Sequence, residues 1–312
     1  MPLQHYLPAT YLALFSTDTS HPRRRRSLAV GATQTGRVFT APACRVAAVH
    51  DLYTLSGEGS LHPHFVDYAL SGYERRLYFA VEQLRTGRLK ALAWATTLVP
   101  FVTALLVRGP DFNTRFEARV GPLLSEAPSD NTSFARLLEY QRLLASIAGA
   151  RWSVLRTQGD EPLITNDLGY APFANPKTRD RGIAVPLGLD RILAIAFQRR
   201  RVVAFAQGGE WVPTIRYMDS PPDDHVSLNR VVASMGRRFV FGPDVSTVTQ
   251  CMENLTPFRG ALEPRQLGFM VGHTASMYEL TWHSLISGLS KPPRRDGEYL
   301  YVNFLKSDRR NP

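Results

Sequence analysis

Residues 151–190 read RWSVLRTQGDEPLITNDLGYAPFANPKTRDRGIAVPLGLD, and the fold turns on how this stretch pairs. Two short runs with strand character, 152–157 and 163–165, are separated by Gln158, Gly159, Asp160 and Glu161, so the spacing predicts a hairpin. The second run stops at Asn166 and Asp167 and gives way to a loop carrying Gly169, Pro172, Asn175 and Pro176. A carboxylate at the mouth of an apolar strand is where a rigid scaffold presents a reactive group, which makes Asp167 the expected centre of any site. Beyond it, 182–187 and 192–197 read as two strands around Leu189 and Asp190, and 201–206 as a further one.

Outward from this stretch the patterns are mixed. Residues 27–30 and 36–40 alternate around 31–35 as a second hairpin. From 65 to 84 the apolar residues Val66, Leu70, Tyr73, Leu77, Val81 and Leu84 recur at three and four, one face of an amphipathic helix. Glu74 lies on that face and must be paired, hydrogen-bonded or functional, because burying a carboxylate alone is costly. Residues 91–107 are uncharged and mostly apolar between Lys90 and Arg108. That falls short of the ~20 residues a membrane helix needs, and Pro100 interrupts it, so a buried helix kinked or broken at Pro100 is expected. Residues 133–148 and 225–235 have helical spacing, the latter around Asn229, and 239–241 closes the unit as a strand. A helix near 277–289 and a strand at 298–305 complete the pattern. Hairpins with helices in a block, rather than strict alternation, predict an α+β fold: a central helical block on short antiparallel hairpins and a small mixed sheet. One core domain, 1–242, is expected, with an extension, 243–312, packed on it.

Composition bounds the function. The chain has 312 residues, 44% of them apolar, and a net charge of +10 with a pI near 9.9, which favours partners carrying phosphate. The charge is nearly all arginine, since only Lys90, Lys177, Lys291 and Lys306 are lysines, and 23–26 is a bare arginine run, a solvated loop or a phosphate contact. Cys44 and Cys251 are too few for a disulfide framework or a zinc knuckle, and the N-terminus has no secretory pattern, so a cytoplasmic protein is expected, with no membrane partner. His62 and His64 with Asp67 read either as a metal site or as a surface turn.

The landmarks form an ordered series: HYLPATYLALFS from His5, LAV at Leu28, DLYT at Asp51, Glu74, Arg108 with Pro110, RWSVL at Arg151, LITNDLGYAP at Leu163, VPLGLD at Val185 and LNRVVASMGRRFVF at Leu228. Over residues 1–242 this series resembles the uncharacterised bacterial domain-of-unknown-function family numbered 4238. Members of that family open with an HYVPQFYLRNF-like run and carry FITSDNPV-like and FPLSPD-like segments. The chain departs from that pattern at Asn166, Asp167, Leu168, Gly169 and Tyr170, where the family has Ser-Asp-Asn-Pro-Val. The acid is kept and its loop is not. The resemblance implies that His5, Glu74, Arg108, Asp167 and Asn229 are the polar positions to watch.

Two readings of those five follow. In the hydrolytic one they meet in one solvent-reachable hollow. There Asp167 and Glu74 hold a divalent cation or share acid/base work, His5 is a general acid or base, Arg108 clamps a phosphate or carboxylate, and Asn229 orients the substrate. With the basic surface this means a hydrolase of nucleic-acid or nucleotide phosphoesters, of a toxin or defence kind. In the architectural one, Arg108 pairs with Glu74 or Asp167, His5 bonds a backbone carbonyl, and Asn229 is a buried hydrogen-bonder. The chain is then a non-catalytic module that binds nucleic acid or protein.

Overall fold

Strand β5 (Arg151–Arg156) lies between two neighbours, and neither is the run that follows it in sequence. The computed structural model describes residues 3–55, 62–110, 112, 129–174, 181–197, 215–220, 222–253 and 255. In it β5 pairs antiparallel with β9 (Arg191–Phe197) and parallel with β10 (Arg216–Asp219). The next run is β6 (Thr165–Asn166), and it joins a different sheet. The expected 152–157/163–165 hairpin is therefore wrong. The physical reason is where the connection spends its backbone groups: Thr157 N donates to Asp190 O at 3.1 Å and Leu163 N to Leu189 O at 2.9 Å. Both ends of the linker are tied to the turn before β9, and this carries the chain away from β5.

Two sheets result. One has the order β10-β5-β9-β8-β7, with β7 at Ala171–Ala174 and β8 at Arg181–Pro186. The other has the order β3-β2-β11-β6 and is antiparallel throughout, with β2 at Ser27–Ala32, β3 at Val38–Pro42 and β11 at Phe239–Gly242. A two-stranded pair, β1 (Leu3–His5) with β4 (Ala48–His50), completes the strands among the described residues. The β2–β3 and β8–β9 hairpins stand where the alternating pattern predicts them. Antiparallel hairpins, one mixed sheet and a helical block make the fold α+β.

The helices are α1 (Ala9–Leu12), α2 (Phe65–Ser71), α3 (Glu74–Arg85), α4 (Ala91–Arg108), α5 (Ser129–Ala148), α6 (Pro222–Met235) and α7 (Val245–Glu253). The expected single helix over 65–84 is broken at Gly72 and Tyr73. Leu77, Ala80, Val81 and Leu84 still give α3 one buried face. Helix α4 runs across Pro100, where a break or kink was expected, and the preceding turn Trp94–Leu98 is widened to the i→i+5 pattern. Such a turn accommodates the amide that proline lacks. Every residue from Val99 to Arg108 is buried, and 72% of α4 is buried within the protein. Its large apolar side chains therefore stabilise the core by about 1.5–3 kcal/mol each.

Trp152 of β5 packs edge-on against Trp94 at 5.8 Å and donates its indole N–H to Ile147 O at 2.9 Å, joining the five-stranded sheet to α4 and α5. Past residue 242 the chain continues directly onto the core. A Cβ at Gly31 would stand 2.8 Å from Val248, so this glycine lets α7 lie close on β2. The expected strands at 201–206 and 298–305 and the helix near 277–289 lie outside the described residues.

Candidate active site

Arg108 ends α4 with 1% of its surface exposed. At that position its charge complements the negative end of the helix dipole. One guanidinium nitrogen, Nη1, donates to Glu74 Oε1 at 2.6 Å, to Tyr73 Oη at 3.2 Å and, at 3.5 Å, to Leu70 O in the last turn of α2. The other, Nη2, donates to His5 O and stands 3.9 Å from Asp67 Oδ1. The Tyr53 hydroxyl returns a hydrogen bond to Arg108 O at 2.7 Å. Burial opposes the charge of Arg108, but Tyr73, Tyr53 and Glu74 more than offset it, and its pKa is raised. The break at Gly72 thus has a purpose: it lets the end of α2 and the start of α3 converge on one cation.

His5, Asp67 and Glu74 form the rim of this cluster. The two carboxylate side chains are each 27% exposed, and His5 is half-buried. His5 Nε2 is 3.1 Å from Cys44 O. A carbonyl only accepts, so Nε2 carries the proton, and the lone pair of the neutral ring falls on Nδ1. Burial pulls the His5 pKa below 6.5, with Cys44 and Glu74 opposing and Arg108 and Arg24 assisting. Burial raises the Asp67 carboxyl above its ordinary value. Arg108 opposes that rise, Glu74 reinforces it, and His64 and His5 oppose it. A neutral imidazole and a carboxyl whose pKa burial has raised, within electrostatic reach of each other, are the kinds of group that acid/base chemistry uses.

Asp167 and Asn229 belong to a second cluster. Asp167 Oδ1 accepts Arg237 N–H and Oδ2 accepts Arg238 N–H, both at 2.8 Å, while Asp167 N donates to Phe239 O at 3.0 Å. Asn229 Oδ1 accepts Ile164 N–H at 3.1 Å and its Nδ2 donates to Pro162 O at 3.0 Å. Between them, Asn166 takes Leu168 N–H and Gly169 N–H and gives to Tyr170 O and Val232 O. The Tyr11 hydroxyl closes the group, lying 3.1 Å from both Thr165 Oγ1 and Gly169 O and 2.9 Å from Pro186 O. Asp167 is 1% and Asn229 3% exposed.

The five polar positions therefore divide. His5, Glu74 and Arg108 come together, whereas Asp167 and Asn229 hold backbone turns elsewhere, and the single hollow is not formed. Arg108 is sealed beneath Glu74 and His5, so it positions them and is not placed to clamp a ligand. Asn229 has both ends of its amide on the backbone, which leaves none to orient a substrate. A shared cation between Asp167 and Glu74 does not fit, because the two carboxylates are held by different partners. Among the described residues no group of three or more His, Cys, Asp or Glu stands close enough to hold a metal ion. His62 and His64 form the surface turn: His64 N donates to His62 Nδ1 at 3.2 Å, and His62 stacks on Tyr68.

Asp67, read from sequence only as a companion of His62 and His64, is the residue missing from the set of five. Its signal was there, seven residues before Glu74 and so on the same helical face. A pocket of about 150 Å³ near Leu89, Trp94 and Tyr217 is lined by none of these polar residues. No protein-family model, curated protein or solved structure matches the chain.

Proposed function

We propose that the chain is a cytoplasmic hydrolase of phosphoester bonds in nucleic acid or nucleotides, a toxin or defence effector, with His5 and Asp67 as its acid/base pair. The observation that carries this reading is the rim itself: a histidine whose tautomer is fixed by Cys44 O, within electrostatic reach of a carboxyl that is 27% exposed and whose pKa burial has raised. In the reaction, His5 Nδ1 takes a proton from the attacking water as the water oxygen adds to phosphorus. Asp67 gives its proton to the departing oxygen, and the P–O bond breaks. Glu74, fixed by Arg108, offsets the positive charge that forms on His5. Two free cysteines accord with a reducing compartment. We also propose that the resemblance over residues 1–242 reflects a common fold with that uncharacterised family.

The test is hydrolysis of bis(p-nitrophenyl) phosphate, nucleoside triphosphates and short RNA and DNA by the wild-type chain, His5→Gln and Asp67→Asn. General acid/base groups are worth about 10²–10⁴-fold each, and losses of that size with unchanged melting temperatures are expected. Wild-type turnover that neither substitution lowers, or no turnover of any phosphoester, sinks the assignment. The non-catalytic reading has one observation of its own, the exposed turn Arg23–Arg25. On that reading the wild-type chain and His5→Gln bind nucleic acid equally and neither cleaves it.

A further inference from the structure

The outer face of α3 and the Arg23–Arg25 turn present charge and aromatic surface that the acid/base rim does not use. Arg23, Arg24 and Arg25 are all exposed, and Arg23 is fixed with its guanidinium carbon 3.5 Å from the centre of the Tyr78 ring on α3. This stacking pins the basic turn to the helix. Arg75 and Arg76 are exposed in the first turn of α3, immediately after Glu74. Phe79 follows Arg75 by four residues, hence on the same face, and is 69% exposed. Tyr68, next to Asp67, is 56% exposed with its ring stacked on His62 at 5.7 Å.

The neighbouring carboxylates already have partners. Glu74 is held by Arg108 and Glu82 by Arg85 at 2.8 Å. Among the described residues no carboxylate pairs with Arg24, Arg25, Arg75 or Arg76. Arg24 also lies within electrostatic reach of His5. An isolated exposed ring is ordinary, but an exposed ring on a helix that carries Arg75 and Arg76, and to which the Arg23–Arg25 turn is pinned, has a matching ligand: a polyanion with planar faces. In a duplex those faces are already stacked on one another. In a single strand they are open to Phe79 and Tyr68.

We propose that this face binds single-stranded nucleic acid, with phosphates on Arg24, Arg25, Arg75 and Arg76 and bases on Phe79 and Tyr68, and leads the strand to the rim. The binding stands on these residues; only delivery to His5 and Asp67 rests on the hydrolase reading above.

The experiment is fluorescence anisotropy with the full chain carrying His5→Gln, so that no probe is cleaved. The probes are labelled oligo-dT, oligo-U and a matched duplex, with inorganic polyphosphate as competitor. Single strands should bind about tenfold or more tighter than the duplex, and Phe79→Ala should weaken them about fivefold or more at an unchanged melting temperature. Replacing Arg75 and Arg76 by Ala should make the slope of log affinity against log salt shallower by about 0.7 per lost phosphate contact. Preference between dT and U tells DNA from RNA, and either result supports the site. Equal affinity for the duplex, complete competition by polyphosphate at equal charge, or no effect of Phe79→Ala overturns it in favour of a plain cationic surface. Binding by His5→Gln together with an inert wild-type chain would leave this site standing while removing the hydrolase reading.

Discussion

At the end of α4, Arg108 bonds the Glu74 and Tyr73 side chains as well as the carbonyls of His5 and Leu70, and two carboxylates reach solvent. At the mouth of β6, Asp167, Asn166 and Asn229 spend their polar atoms on backbone amides and carbonyls and reach none. Both clusters are arginine- or acid-bearing, and both looked equivalent as sequence. The difference shows which polar residues close a fold and which are left over for chemistry: a group sealed in the interior with its polar atoms on the backbone is committed, whereas a partly exposed one with a perturbed pKa is available.

The comparison is tested most severely at Arg108. Arg108→Met strands Glu74 and the carbonyls of His5 and Leu70, and the loss should be about 3–5 kcal/mol by denaturant unfolding. A loss under 1 kcal/mol would mean that the rim is not held from beneath. Next comes Asp167→Ala, which leaves the Arg237 and Arg238 amides without their acceptor. About 2–4 kcal/mol should be lost. Any activity should fall only in step with the folded fraction; a specific loss of turnover at full stability would return Asp167 to the chemistry. Gly169→Ala probes the β6 turn more gently. Its φ is +76° and a Cβ would stand 2.8 Å from Leu105 Cδ2 and 2.9 Å from Leu7 Cδ2. A loss of about 1–3 kcal/mol in thermal unfolding is expected.

The smallest effect is a slope. Because folding lowers the His5 pKa, the unfolded chain binds more protons just below pH 6.5, and stability contributed there falls as pH falls. Asp67 acts oppositely: its raised carboxyl binds a proton more readily when folded, so its term falls as pH rises above 3.8. His5→Gln should leave stability at pH 7 within about 1 kcal/mol and flatten the slope below pH 6.5. Melting curves from pH 5 to 7.5 read this directly, and an unchanged slope would place the titration elsewhere.

The sequence announced elements better than partners. The periodicity of Leu77, Val81 and Leu84 marked α3, and the alternation of 27–30 with 36–40 marked β2 and β3, because those signals are local. Of the run read as strand at 163–165 only Thr165 lies in one, and its partner is β11; the hydrogen bond from Leu163 N to Leu189 O that carries the linker away from β5 is encoded in no side-chain pattern. Glu74 with Arg108 was legible for the same reason it is costly: a carboxylate on a buried face needs a cation, and few were at hand. Asp67 was weighed only with His62 and His64, although the helix expected over 65–84 put it seven residues from Glu74. Asp167 was read as the presented centre of a site and Asn229 as orienting a substrate or as a buried hydrogen-bonder; that both spend their side chains on the backbone is invisible until the chain is folded.

The pairing of β2 with β11, Val30 opposite Phe241 and Gly31 opposite Val240, sets a schedule for synthesis. A nascent chain emerging from the ribosome exposes Ser27–Ala32 long before Phe239–Gly242 is translated, with β3 as its sole available neighbour in that sheet. The open side of β2 must be shielded or tolerated through the making of some two hundred residues, so a chain stalled or truncated before β11 should be a substrate for chaperones and proteases.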